Sequence, residues 1–150
     1  MNAPLTFVGR KSKYYRDHYY PRETNHAFET LHDALQSVKR SQDDKTKILL
    51  SPSGSYRICG KIMAAAYSQL CPEKIKRIFI FGRQTNFMPY KCGLSNFDHL
   101  ETPLGRIMVD RNVNQKLLKS DDFRLLESNN DHKEQFIEMQ LPFIAKIMEK

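Results

Sequence analysis

Apolar positions along the chain fall into short runs and helical stripes. Phe28, Leu31, Leu35 and Val38 recur at three- and four-residue spacing behind Thr24 and Asn25, either of which can cap a helix, so the spacing predicts a helix over 26–40. The polar stretch 41–45 separates it from 47–50, a short apolar run closed by the turn-rich 51–55, which reads as a buried strand. A second helix is predicted over 58–70, where Ala64, Ala65 and Ala66 permit close packing and Pro72 marks the end. The run 77–81 is the next strand. Strand, helix and strand in this order predict a βαβ unit, with 47–50 and 77–81 parallel and joined by a right-handed crossover.

Further along, 92–94 and 107–109 suit short strands around the Thr102-Pro103-Leu104-Gly105 turn. Val113, Leu117 and Leu118 predict a helix over 111–120, followed by a strand at 123–126. Ile137, Leu141, Ile144, Ala145 and Met148 share one face of a final helix, which Pro142 must bend or divide because it lacks a backbone donor. The fold class implied is α/β. A sheet that stops after a helix is left with an unfinished edge.

Composition adds a bias in charge. Among 150 residues, 24 Lys and Arg against 17 Asp and Glu leave +7, which favours an acidic or polyanionic partner over a basic one. More than half of that excess, +4, lies in residues 1–22, a basic, tyrosine-rich arm ahead of a single α/β unit over 23–150. In the arm, Arg10, Lys11, Lys13, Arg16 and Arg22 alternate with Tyr14 and Tyr15, as stacking plus phosphate neutralisation would require of an RNA contact. The competing reading is a basic segment folded across the domain, its tyrosines packed. No apolar run is long enough to span a membrane or to act as a secretory signal, so a cytoplasmic location is expected. Cys59, Cys71 and Cys92 form no CxxC pair and suit free thiols.

Motifs for chemistry are scarce. Gly54 to Lys61 lies between a predicted strand and helix, but five residues separate its glycines and Ile62 stands where a phosphate loop needs Ser or Thr. His18, His26, His32, His99 and His132 are scattered and read as surface residues. Glu134 and Glu138, one helical turn apart, read as a solvated pair. Composition and spacing therefore yield no active site.

Six segments in register carry a resemblance: Pro52-Ser-Gly-Ser-Tyr56 through Cys59-Gly60, Ala64-Ala-Ala-Tyr67, Arg77-Ile-Phe-Ile-Phe-Gly82, Cys92-Gly-Leu-Ser95, Thr102-Pro-Leu-Gly105 and Ile137 through Lys146. Over about 47–150 the chain resembles the Memo family, whose fold is shared with class III extradiol dioxygenases, and Tyr19-Tyr20 answers weakly to the family's N-terminal Trp-Tyr. The resemblance implies the first half of that fold, a three-layer, sandwich-like mixed or parallel sheet flanked by helices. It also implies a metal site built on three histidines, at positions occupied here by Ser53, Thr85 and Gln135. Hydroxyls and an amide lack the nitrogen donors that a late first-row divalent metal prefers. Ser53, Tyr56, Thr85, Asn86 and Gln135 then mark a vestigial pocket, with no cofactor and no catalytic residue. The family is also roughly twice this length, and its later half supplies further site residues, a cysteine among them. The starting Met and the length of 150 favour a short product over a fragment.

The expected function is that of a non-catalytic binding module, docked through the basic arm, the pocket mouth or the unfinished sheet edge. A protein or a ribonucleoprotein such as the ribosome is the expected partner, with RNA and a second copy of the chain as further candidates and no membrane. Two other classes compete: an enzyme, either a residual metal-dependent oxidoreductase or a hydrolase using Ser53 or Cys59, and a signalling adaptor for phosphotyrosine peptides.

Overall fold

The structure is a computed structural model that describes residues 9–10, 19–20, 24–39, 45–83 and 90–149. Helix α1 (Thr24–Gln36) starts two residues before the predicted helix and stops at Gln36, after which Ser37 and Val38 turn out of it. Its Ala27 and Leu31 are buried. Helix α2 (Tyr56–Tyr67) buries Tyr56, Gly60, Met63, Ala64 and Tyr67, a stripe at helical spacing that faces α1 and the C-terminal helices.

Two small sheets follow. Strand β1 (Gly9–Arg10) runs parallel to β3 (His99–Thr102), and β3 forms an antiparallel hairpin with β4 (Gly105–Met108). The hairpin turn is held by Thr102, whose hydroxyl accepts from the Leu104 amide at 3.0 Å and donates to the Gly105 carbonyl at 3.0 Å. Gly105 sits at φ +128, where a side chain would be strained. Strand β2 (Cys92–Leu94) pairs in parallel with β5 (Phe123–Leu125), and the Leu126 amide extends the ladder to the Leu94 carbonyl at 2.9 Å. Helix α3 (Arg111–Leu117) lies between them in the chain, and Asp110 caps it by accepting from the Val113 amide at 3.1 Å. The chain is therefore mixed α/β, with small parallel and antiparallel sheets flanked by helices, in keeping with part of the Memo fold.

The expected parallel pair 47–50 and 77–81 is corrected by the structure: both runs lie outside the helices and strands, and neither joins a sheet. The reason lies in their coverage. Leu49 and Ile80 pack against the core, whereas Ile48 and Leu50 are 85% and 93% exposed and Phe81 is 92% exposed. A parallel strand needs both faces covered and a neighbour at ladder distance, and these runs have one covered face. Parallel pairing appears instead between β2 and β5, which have the β3–β4 hairpin and α3 between them in the chain. Similarly, the strand expected at 107–109 is β4, and its partner is β3 rather than 92–94.

The C-terminal segment is divided at Pro142, one of the two outcomes expected. After α4 (Ser128–Asp131), α5 (Gln135–Glu138) and α6 (Leu141–Ile147) are separate, with Pro142 in the first turn of α6, where a missing amide leaves no helical bond broken. Met63, Met139 and Phe143 are fully buried at the junction of α2 with this segment, and Leu141 is buried in a second cluster with Phe97 and Leu100. The Phe143 ring lies 5.2 Å from Tyr56 and stacks on Tyr67 at 5.3 Å. Among the described residues, no helix is long and apolar enough to cross a membrane.

Candidate functional site

The loop ahead of α2 and the α5–α6 segment meet along one seam, and three of the five expected pocket residues lie on it. The Gln140 amide donates to the Pro52 carbonyl at 3.0 Å, which fixes the loop carrying half-buried Ser53. Tyr56, buried in the first turn of α2, donates its hydroxyl to the Met139 carbonyl at 2.8 Å. Gln135 opens α5 and is half-buried. Gly82 closes the group from the far side. A side chain at Gly82 would meet Ile137 Cδ1 at 2.9 Å and Phe136 Cβ at 3.1 Å, so glycine lets this backbone approach α5 closely. Thr85 and Asn86 lie outside the described residues.

A polar network that spacing alone did not reveal runs beneath the seam. Tyr20 donates its hydroxyl to Glu138, and Tyr67 donates to the Gln140 side-chain oxygen at 2.9 Å. The Tyr56 amide donates to the Tyr19 carbonyl at 2.8 Å, tying residues 19–20 to the start of α2. Tyr20 and Tyr56 are in ring contact at 5.5 Å. Glu134 and Glu138, expected on a solvated face, are 4% and 2% exposed; the buried Glu138 carboxylate is stabilised by the hydroxyl that Tyr20 donates to it. The signal for this was present in the sequence, since Glu138 and Gln140 interrupt an otherwise apolar stretch.

Burial is the main force holding the Tyr56 phenol well above its ordinary value, with the nearby Tyr20, Tyr67 and Glu138 adding to it. Burial likewise raises Tyr67. Because the folded state resists ionising these rings, their contribution is complete below about pH 10 and declines as pH rises through the folded values. Tyr56→Phe should therefore flatten the loss of stability above pH 10, by up to about 1.4 kcal/mol per pH unit, while losing about 1 kcal/mol at pH 7 with its hydrogen bond. Urea midpoints of both proteins from pH 8 to 11 check this.

The remaining histidine expectations divide. His26 and His32 are exposed, His32 stacking on Phe28 at 5.8 Å. His99 is instead buried, close against Gly9 where β1 meets β3, and it lies 3.8 Å from Glu101; glycine at position 9 makes room for the ring. His132 is half-buried, with its ring 4.8 Å from Phe97. His18 lies outside the described residues. So do the arm residues Lys11, Lys13, Tyr14, Tyr15, Arg16 and Arg22, and Arg10 contributes backbone to β1. None of the three cysteines is in a disulfide, and the Cys71 thiol donates to Glu73 at 3.2 Å.

A Memo-type metal requires donors that this seam lacks. Ser53 offers a hydroxyl and Gln135 an amide, and among the described residues no three His, Cys, Asp or Glu side chains gather where they would hold an ion. These residues do not fit the group. Glu138 and Gln140 instead take up phenol hydroxyls, which makes the seam a rigid clasp joining residues 19–20, 52–56 and 138–140.

A family model described as Memo-like protein matches residues 16–150. Over 115 residues the chain is 35% identical to Protein MEMO1 of Homo sapiens, covering 77% of this chain and 37% of that protein. It is 35% identical over 102 residues to Protein memo-1 homolog of Caenorhabditis elegans, covering 68% and 29%. A MEMO1 family protein of Schizosaccharomyces pombe is 33% identical over 120 residues, covering 78% and 39%. The matched part thus spans well under half of each of these relatives.

Proposed function

This chain belongs to the Memo family, and from that premise we propose that it is a non-catalytic binding module, which docks onto a larger protein or ribonucleoprotein assembly. The observation that carries this reading is the donor set at the seam. Where the family resemblance places histidines, Ser53 and Gln135 present neutral oxygen and amide groups, and the acidic and amide side chains beside them are committed to tyrosines. Docking is supported by the apolar side chains left in solvent, Ile48, Leu50, Phe79 and Phe81 among them, which a partner surface would cover. The net charge of +7 and the arm residues Arg10, Lys11, Lys13 and Arg16 favour an assembly rich in phosphate, such as the ribosome.

Elemental analysis of the purified chain should find no stoichiometric iron, copper or zinc; one equivalent bound tightly would overturn the non-catalytic reading. Co-sedimentation with ribosomes at increasing salt tests the partner. Binding should fall steeply, and loss of each phosphate-contacting arm cation should reduce the log–log slope by ~0.7–0.9. If charge reversal at Lys11, Lys13 and Arg16 leaves association and its salt dependence unchanged, the arm is not the contact.

A further inference from the structure

The positive charge of the chain has a second centre besides the arm. Between Lys45 and Arg83 lie eight Lys and Arg against Glu73 alone, a net +7 that equals the excess of the whole protein. The rest of the chain, the arm included, is balanced at sixteen of each sign. Within this segment Lys47, Arg57, Lys61, Lys76 and Arg83 are exposed, and none of the five is paired with a carboxylate among the described residues. Of the carboxylates bordering the cavity beside 75–80, Asp110 is held by Arg77, Glu149 by Lys146, and Asp131 and Glu134 are buried. The segment therefore presents a field that its own surroundings do not neutralise.

Two aromatic rings stand in solvent at the end of the same segment. Phe79 and Phe81 are 57% and 92% exposed, while Ile80 between them packs against both apolar clusters. The backbone that carries the rings is held at three points. Arg77 is bound by Asp110 at 2.7 Å, Ile80 is set in the core, and Gly82 lies so close to α5 that a Cβ there would meet Ile137 Cδ1 at 2.9 Å. Rings on an anchored backbone lose little further freedom when a ligand stacks on them. Lys76 and Arg83 bracket them in the chain.

We propose that Phe79 and Phe81 form a stacking platform for single-stranded RNA, with Lys76 and Arg83 neutralising its phosphates. The inference rests on the binding-module reading and gives that module an RNA contact outside the arm. A single strand offers an apolar base face and one charge at every nucleotide, and exposed rings with flanking cations meet both. In an RNA duplex the base faces are stacked inside, so the rings have nothing to cover. A lipid surface requires a broad apolar face lying in the headgroup boundary, whereas here two rings sit between cations. Lys47, Arg57 and Lys61 add long-range attraction for the strand.

The chain has no tryptophan, so Phe81→Trp introduces a single reporter. Titration of this variant with decauridylate should quench the indole emission as a base stacks on it. A blue shift on vesicles of phosphatidylcholine and phosphatidylserine in equal parts, with no response to the RNA, would overturn the proposal. Phe79→Leu and Phe81→Leu keep an apolar side chain and remove the ring; each should weaken decauridylate binding about fivefold or more and leave the salt slope unchanged. Lys76→Gln and Arg83→Gln should each reduce the log–log salt slope by ~0.7. Because all four side chains are exposed, these variants should keep the parent urea midpoint. An RNA duplex of the same length should bind more weakly and be indifferent to the leucine variants. Absence of decauridylate binding, equal affinity for the duplex, or unchanged affinity in both leucine variants would overturn the platform. Such a failure, with metal absent and ribosome association retained, leaves the binding-module reading standing; a stoichiometric metal removes that reading without touching the RNA result.

Discussion

Replacing Phe143 with alanine is expected to lower the unfolding free energy by ~3–5 kcal/mol, the range for a fully buried aromatic ring. The ring has no exposed surface and joins Tyr56 on one side to Tyr67 on the other. No flexible neighbour is placed to fill the space, because both tyrosines are pinned through their hydroxyls, one to the Met139 carbonyl and the other to Gln140. Against a typical total of ~5–15 kcal/mol, the loss leaves the variant near the edge of folding at 37 °C. Urea unfolding followed by circular dichroism checks it, with a lowered midpoint and an unchanged slope. A loss under about 1 kcal/mol would mean that α6 does not anchor the core as described.

Tyr20 offers the second large effect and separates two roles of the N-terminal region. Tyr20→Ala should cost ~3–5 kcal/mol, since the ring is 3% exposed and packs on Tyr56. Tyr20→Phe keeps the ring and removes the hydroxyl that donates to Glu138, so it should cost ~1–3 kcal/mol. The two variants, measured by the same denaturant titration, apportion packing against hydrogen bonding. Neither should alter salt dependence of partner binding in the folded protein, because Tyr20 is part of the core. For this tyrosine the packed reading of the arm holds. The basic residues from Lys11 to Arg16 are a separate question, answered by the salt titration.

Much of the secondary structure was legible because it depends on local pattern. The helix α2, the turn at 102–105, the strand at 92–94 and the break before α6 each follow from composition, turn chemistry or a missing donor. The family relationship was also carried by sequence, through six short blocks in register.

Pairing and burial were settled only by tertiary structure. The runs 47–50 and 77–81 have strand-like composition, but a ladder needs a second edge at the right distance, and no spacing within the chain states whether one is present. Parallel pairing appears between β1 and β3 and between β2 and β5, and not between those two runs. Glu138 and Gln140 were polar positions in an apolar stretch, which spacing alone assigned no partner. Their roles came from residues 118 and 73 positions away, when Tyr20 and Tyr67 brought hydroxyls to the seam. A buried polar group is stabilised by the partner it finds, and that partner is a property of the folded chain rather than of the local sequence.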